Sequence, residues 1–224
     1  MHTGKGRIVE VILEDGCHYA RLVCPEKFIP SPGQYLLASD TSDSLLPVPL
    51  FYTDSVPQGF IASVADAVSW KPGDIFHLRG PLGRGFALPS FARRVGLVAF
   101  DDSPARLRGL IQPALKQDAS VVLVSDSAAD GLPDEVEVQP LSALEEILKW
   151  ADYIAADVSR ENLPELRERL GQRNKLSALH EAQILVRTQM PCGGFAECGV
   201  CAVTTKSGWR MACKDGPVFD LSEL

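Results

Sequence analysis

The sequence predicts a multidomain chain of α+β and α/β class, in which an N-terminal antiparallel β-barrel precedes a parallel α/β domain and a short C-terminal segment. Three observations predict this order. Residues 1–92 contain short apolar runs separated by glycine and proline turns. Residues 93–188 alternate apolar strands with helical segments. Residues 189–224 carry four of the six cysteines.

The barrel is predicted from evenly spaced strands with turn residues between them. Ile8–Leu13 runs into Glu14-Asp15-Gly16, and an Asp-Gly pair between two apolar runs is typical of a tight hairpin. The return strand and the later strands are predicted at residues 17–24, 33–38, 48–53, 60–64 and 74–78. Short strands at this spacing favour a small antiparallel barrel.

The α/β domain is predicted from a change of pattern near residue 95. Ser103-Pro104 supplies the N-cap residue and first-turn proline that begin a helix. Further helices are predicted at 141–150 and 161–170. Apolar strands are expected at residues 95–100, 121–124, 153–156 and 182–188. Strands that alternate with helices pair in a parallel sheet.

Composition argues against two classes of function. The net charge is −7, whereas a nucleic-acid-binding protein needs a basic face. No apolar run approaches the ~18 residues of a membrane-spanning helix. The chain starts Met-His-Thr-Gly-Lys-Gly-Arg, without an apolar signal segment. We therefore expect a cytoplasmic protein whose thiols stay reduced.

The most informative motif is a group of four cysteines with the spacing C-x5-C-x2-C-x11-C: Cys192, Cys198, Cys201 and Cys213. This spacing is close to the plant-type ferredoxin pattern, C-x4-C-x2-C followed by a distant cysteine, which holds a 2Fe–2S cluster. Glycines at 193, 194 and 199 let backbone N–H groups approach the sulfurs. The four cysteines are therefore the predicted ligands of a cluster that transfers single electrons.

Two other uses of the four cysteines stay open. A structural zinc is one, although zinc ribbons usually present two separated C-x2-C pairs and this chain has one. A disulfide framework is the other, and a reducing compartment disfavours it. Cys17 and Cys24 have no ligand spacing and are expected to be small buried hydrophobic residues.

Three further motifs carry a family resemblance. Pro32-Gly-Gln-Tyr35 is similar to a PGQF strand entry, and Gly80-Pro-Leu-Gly-Arg-Gly-Phe86 is similar to a GPLGxGF turn. Cys213-Lys-Asp-Gly-Pro-Val-Phe219 resembles a closing C-x-D-G-P-V-F motif. With the order of domains, these residues resemble the ferredoxin–NADP reductase superfamily. Within it, the chain is most similar to the electron-transfer subunit of class 1B dihydroorotate dehydrogenase.

That resemblance implies a function in pyrimidine biosynthesis. The family's subunit carries FAD and one 2Fe–2S cluster, and it passes electrons between NADH and the FMN of a catalytic partner subunit. It implies a hetero-oligomer with an oxidoreductase such as dihydroorotate dehydrogenase, and no catalytic residue in this chain. The flavin contacts that it implies are Pro49, Leu50, Phe51, Tyr52, Gly80, Gly83 and Gly85.

The flavin motifs depart from the family pattern. Val48 and Phe51 stand where the family has the arginine and serine of an Arg-Pro-x-Ser strand. A valine cannot make the bidentate contact of a guanidinium with phosphate. The family's Gly-Thr phosphate element should fall at 64–70, a stretch without glycine. FAD retention is therefore doubtful, and any bound FAD is predicted to be loosely held.

The nicotinamide motifs depart further. Ala99-Phe-Asp-Asp-Ser103 replaces a glycine-rich turn, and its carboxylates would face a pyrophosphate. Asp101, Asp102 and Ser103 are instead expected to cap a helix. The family's Cys-Gly-Pro aligns with Ala156-Asp157-Val158. The sequence therefore predicts that NAD(P) binding by this chain is weak or absent.

Two functions from different classes follow. The first is an electron-transfer subunit that relays single electrons through a 2Fe–2S cluster to or from a partner oxidoreductase. The alternative is a non-catalytic scaffold subunit with a structural metal site. A self-contained NADH-dependent reductase ranks last, because it needs the missing glycine turn.

Overall fold

The computed structural model describes residues 2–14, 17–39, 46–64, 70–127, 129–171 and 181–224. Its N-terminal part is a closed six-stranded barrel with the strand order β1-β2-β5-β4-β3-β6, in which all paired strands are antiparallel. The strands are β1 (His2–Glu14), β2 (Cys17–Val23), β3 (Tyr35–Ser39), β4 (Val48–Val56), β5 (Gly59–Val64) and β6 (Ile75–Leu82). The predicted barrel is confirmed, and the predicted Asp15-Gly16 turn lies outside the described residues.

Side chains alternate in direction along each strand, and those that point inward fill the interior of the barrel. Leu36, Leu50 and Phe60 come from three different strands, are completely buried and belong to one apolar cluster. The third strand begins at Tyr35, two residues later than predicted, because Gly33 adopts φ +84 and belongs to the turn before it.

The second part is a six-stranded sheet with the order β14-β11-β10-β7-β8-β9. Five strands are parallel: β7 (Arg94–Ala99), β8 (Ser120–Val124), β9 (Val136–Gln139), β10 (Tyr153–Ser159) and β11 (Glu181–Arg187). The described helices are α1 (Ile111–Lys116), α2 (Leu144–Trp150) and α3 (Leu163–Gly171), with 3₁₀ turns at Glu26–Phe28, Pro104–Arg106, Arg108–Leu110 and Leu141–Ala143. The predicted parallel α/β domain is confirmed.

The C-terminal residues contact both the barrel and the six-stranded sheet. A hairpin is formed by β12 (Ala202–Thr205) and β13 (Gly208–Met211), and β14 (Val218–Asp220) then adds antiparallel to the edge strand β11. The Arg84 guanidinium, on the turn after β6, pairs with Asp220 at 2.5 Å and with Glu223 at 3.0 Å. The cysteine segment is therefore fixed to the barrel and to the sheet.

Among the helices in the described ranges, none is both long and apolar enough to cross a bilayer.

Candidate metal centre and the crevice between the domains

The cysteine loop between β11 and β12 is built from left-handed backbone conformations. Gly193, Gly194, Ala196 and Gly199 have φ between +62 and +78. Left-handed residues curl the chain so that successive N–H groups point into one concave space. The local sequence therefore makes a nest of backbone donors around the thiols, as the glycine pattern predicts.

The four predicted ligands come together as two pairs. The Cys192 thiol lies close enough to that of Cys198 for each to affect the charge of the other, and Cys201 and Cys213 are paired in the same way. Cys201 and Cys213 are buried, Cys192 is partly buried and Cys198 is exposed. Within the described ranges, no three His, Cys, Asp or Glu side chains lie close enough together to hold a single metal ion.

Backbone donors act on one member of each pair. Burial raises the pKa of the Cys192 thiol, but N–H groups of Glu197, Cys198 and Phe195 outweigh it and bring the pKa to about 6. Burial and the neighbouring Cys201 raise the pKa of Cys213 to about 12, although the Ala196 N–H opposes the shift. The donors therefore favour negative charge on sulfur, which a thiolate ligand carries.

Two barrel residues complete the surroundings of the cysteine loop. The buried Tyr35 hydroxyl donates to the Cys213 carbonyl at 2.8 Å. The Arg79 guanidinium lies over the Phe195 ring at 4.1 Å, and a Cβ on Gly193 would lie 3.1 Å from its nitrogen. In the sequence, Tyr35 is recognisable only as part of a strand motif, and Arg79 is not marked at all. A local pattern does not show which side chains will contact a loop that is distant in sequence.

The predicted flavin contacts on β4 alternate between two environments. Leu50 is completely buried in the barrel core, and Tyr52 is only 8% exposed. Pro49 and Phe51 are partly buried and line a cavity of about 320 Å³ between the barrel and the α/β domain. This cavity is here called the crevice, and its other lining residues include Ser63, Ser103, Arg106 and Arg187.

The predicted flavin contacts Gly80, Gly83 and Gly85 lie near the end of β6 and on the turn after it, where they pack against backbone. A Cβ on Gly83 would lie 2.5 Å from the Gly216 carbonyl, and one on Gly85 would lie 2.6 Å from the Pro32 carbonyl. Gly80 has φ +145, in the region that favours glycine. Gly83 therefore allows the barrel to meet the segment before β14 at close range, whereas Gly85 packs on the turn before β3.

An ion network occupies the α/β side of the crevice. Asp157, at 1% exposure, accepts from Arg106 at 2.7 Å and from Arg187 at 2.8 Å. Arg106 also pairs with Asp102 at 2.5 Å, and Arg187 pairs with Asp101 and Asp102. Burial raises the pKa of Asp157 to about 6, although Arg106 opposes the shift, and it lowers that of Arg187 to about 10. Asp157 and its two arginine partners are therefore charged at neutral pH.

The helix-capping prediction needs a correction for the two aspartates. Ser103 does cap a 3₁₀ turn, since its hydroxyl accepts from the Ala105 N–H at 3.4 Å. Asp101 instead accepts from the Ser159 backbone and hydroxyl and from Asn162, and it pairs with Arg187. Three nearby arginine and amide donors compete better for these carboxylates than the free N–H groups of a short turn.

The prediction for the two remaining cysteines holds for one of them. Cys24 is buried, and burial raises its pKa to about 11. Cys17 is only partly buried, because it begins β2 beside the crevice.

Comparisons with known proteins agree with this geometry. Residues 188–224 match the family described as the iron–sulfur cluster binding domain of dihydroorotate dehydrogenase B. The chain is 27% identical to the electron transfer subunit of dihydroorotate dehydrogenase B (NAD(+)) from Clostridium acetobutylicum, over 95% of this chain and 92% of that protein.

Solved structures show the same fold at lower identity. An NADH-dependent reduced ferredoxin–NADP oxidoreductase superposes with a TM-score of 0.76 at 18% identity, covering 97% of this chain and 88% of that chain. A ferredoxin–NADP⁺ reductase from Neisseria gonorrhoeae with bound FAD and NADP superposes at 0.57 and 12% identity, covering 83% and 98%.

The fold and the cysteine segment together define a class of protein: a ferredoxin–NADP reductase fold that ends in an iron–sulfur cluster binding domain. More particularly, the chain is similar to the electron transfer subunits of dihydroorotate dehydrogenase B, and the resemblance read from the sequence is confirmed.

Proposed function

We propose that this chain is the electron-transfer subunit of a dihydroorotate dehydrogenase of the B type and relays single electrons through a 2Fe–2S cluster. The observation that carries the proposal is the arrangement of Cys192, Cys198, Cys201 and Cys213 as two thiol pairs within a nest of backbone N–H groups. Four thiolates are the usual ligand set of such a cluster.

The donor set fits the cluster in number and chemistry. A bound 2Fe–2S cluster accepts and releases one electron at a time. The N–H groups of Phe195, Glu197 and Cys198 stabilise negative charge on the Cys192 sulfur. Hydrogen bonds of this kind make reduction easier, since they offset the added negative charge.

The two pairs have different tasks because they differ in exposure. The buried Cys201 and Cys213 keep water from one side of the site, and the Tyr35 hydroxyl holds the backbone of Cys213 in place. The exposed Cys198 presents its sulfur to the surface, where a partner protein can approach. Exposed apolar side chains Phe195, Val200 and Trp209 belong to the same segment.

The similarity to named subunits supports the partner. In the relatives, the electron transfer subunit belongs to dihydroorotate dehydrogenase B, so we propose a hetero-oligomer with the catalytic dehydrogenase subunit, in pyrimidine biosynthesis. A cytoplasmic location is part of the proposal, because thiolate ligands need a reducing compartment.

Metal analysis of anaerobically purified protein tests the ligands. We expect two irons and two acid-labile sulfides per chain, and each single Cys→Ala change at the four positions should lower the iron content and bleach the visible bands. Cys17→Ala and Cys24→Ala are matched controls and should change neither. Zinc in a colourless protein, or an equal loss of iron from Cys17→Ala, would contradict the proposal.

Co-expression tests the partner. The chain and the catalytic dihydroorotate dehydrogenase subunit encoded in the same genome should elute together in gel filtration, and the reduced cluster should be reoxidised by the FMN of that subunit. Separate elution with no electron exchange would rule out this partner and leave the cluster assignment untouched.

A further inference from the structure

The crevice lies between β4, which stands in place of the family's flavin strand, and the Asp102–Ser103 turn, which stands in place of its nicotinamide turn. In this chain the strand that replaces the family's flavin strand, β4, contacts the 3₁₀ turns Pro104–Arg106 and Arg108–Leu110 of the α/β domain directly. The described side chains of this interface show whether FAD fits between them.

The first obstacle is the contact between Tyr52 and Gly109. A Cβ on Gly109 would lie 2.6 Å from two carbons of the Tyr52 ring and 3.3 Å from Pro32. The Tyr52 ring is also stacked on Phe60, with centroids 6.2 Å apart, and its hydroxyl lies 2.6 Å from Ser55. The α/β domain therefore packs so closely on Tyr52 that even a Cβ on Gly109 would clash with the ring, and the ring is engaged by contacts within this chain.

The other aromatic of the strand is also engaged. The Phe51 ring packs against Tyr35, with centroids 5.6 Å apart, and joins the apolar cluster that contains Cys201 and Cys213. Leu50 points into the barrel core. The strand therefore places its apolar groups in contacts within this chain, and what remains of the crevice is about 320 Å³. That is the lower end of the ~300–1,000 Å³ range of drug-sized ligand pockets, whereas FAD has two ring systems and a pyrophosphate.

The charges of the crevice oppose a pyrophosphate. Arg106 spans the gap, since it bonds Asp157 on one side and approaches Ser63 of the barrel at 3.4 Å. The network holds two arginines and three aspartates, so its cations are already matched by anions. Drawing Arg106 or Arg187 onto a phosphate would take from the buried Asp157 one of its two arginine partners, which is unfavourable for a buried carboxylate.

We infer that this chain's own side chains close the flavin crevice, so that the chain carries an iron–sulfur cluster and no flavin. The inference rests on the proposed function for its cluster, and it goes further than the loosely held FAD that the sequence predicts. The cluster then exchanges one electron at a time with the partner's flavin on one side and with a one-electron donor or acceptor protein on the other.

Flavin and iron analysis of one preparation separates this inference from the proposed function. Protein expressed alone should contain iron and sulfide but no FAD after gel filtration. Titration with FAD should give no saturable quenching of flavin fluorescence in the micromolar range, while an apo-reductase of this fold, treated identically, should bind. One FAD per chain that survives gel filtration, or saturable micromolar binding, would overturn the inference even with the cluster intact. Absence of iron would instead overturn the proposed function.

A single variant tests the cause of the closure. Val48→Arg restores the family's arginine on β4, while Phe51, the Tyr52–Gly109 contact and the ion network remain. We expect this variant to bind FAD no better than the parent. Micromolar FAD binding by the variant would show that the missing arginine, and not the closed crevice, excludes the flavin.

Discussion

Side chains that are distant in sequence control the charge around the cysteine loop. Arg79 comes from β6 of the barrel and lies beneath Phe195, beside the backbone of Gly193. A cation near a redox centre stabilises the reduced form, because that form carries one more negative charge. We therefore expect Arg79 to position the cysteine loop and to tune the potential of a bound cluster.

Arg79→Met should lower the reduction potential of the cluster. Loss of one partly exposed positive charge beside the cysteine loop should make the free energy of adding one electron less favourable by about 1 kcal/mol. Spectroelectrochemical titration measures the potential, and Arg79→Lys, which keeps the charge, should stay close to the parent. Equal potentials for the parent and Arg79→Met would show that the guanidinium does not act on the cluster.

Tyr35→Phe should destabilise the cluster segment without changing its charge. The variant leaves the buried Cys213 carbonyl without the hydroxyl that donates to it, at a cost of about 1–3 kcal/mol. Urea unfolding, followed by loss of the visible bands, measures this cost. Tyr52→Phe, whose hydroxyl bonds Ser55 within the barrel and not the cysteine segment, is the comparison. An unchanged midpoint for Tyr35→Phe would show that its hydroxyl does not stabilise the cysteine segment.

At the scale of elements, the turn after β6 joins the barrel to the C-terminal segment. Gly83 adopts φ +74, and the carbonyl of Gly216 lies where its Cβ would be. The backbone N–H of the next residue, Arg84, donates to that same carbonyl at 2.5 Å. In this chain the glycine turn after β6 therefore allows the barrel to pack closely against the segment before β14.

Gly83→Ala should destabilise the protein more than Gly73→Ala does. Both glycines have positive φ, so both changes incur the left-handed penalty of about 1–2 kcal/mol. A Cβ on Gly73 meets nothing within 4 Å, whereas one on Gly83 meets backbone at 2.5 Å. Thermal unfolding of the two variants compares them, and equal melting temperatures would contradict the packing role.

An ion pair connects the starts of β7 and β10, and it gives a pH-dependent prediction. The Arg94 side chain, with the Arg93 and Arg94 N–H groups, lowers the pKa of Asp152 below its ordinary value of 3.8. Its contribution to stability is therefore present above that value and is lost as the pH falls through the lowered pKa.

Asp152→Asn should therefore be less stable than the parent at neutral pH. The difference between the two free energies of unfolding should shrink as the pH falls below 3.8. Urea unfolding over a pH series measures it. A difference that is constant across the series would show that the charge of Asp152 does not contribute.

Local patterns predicted most elements because periodicity and turn residues act within a few positions. The predicted strands of the barrel and of the parallel sheet, and the helices α2 and α3, lie close to the residue ranges predicted for them. The helix expected at Ser103-Pro104 is instead two 3₁₀ turns before a short α1, because its backbone packs tightly on Tyr52. The strand β9 was missed, since four residues with two glutamine or glutamate side chains give no apolar run.

At the scale of the whole molecule, the sequence predicted the candidate metal site far better than the crevice. The cysteines are close in sequence, so their spacing carries the signal. The crevice depends on Arg106, Asp157 and Arg187, which meet only after three strands of the sheet are aligned. The sequence could show that flavin and nicotinamide motifs were missing, but not that internal ion pairs had taken their place.

The measurement that tests the account most directly is an anaerobic titration of the isolated chain with dithionite, followed by visible absorption. Because the account gives the chain one 2Fe–2S cluster and no flavin, we predict an uptake of one electron per chain, with bleaching of the cluster bands. A chain that also held FAD would take up three electrons, two of them at the flavin. Uptake of three electrons would contradict the closed crevice, and uptake of none would contradict the cluster itself.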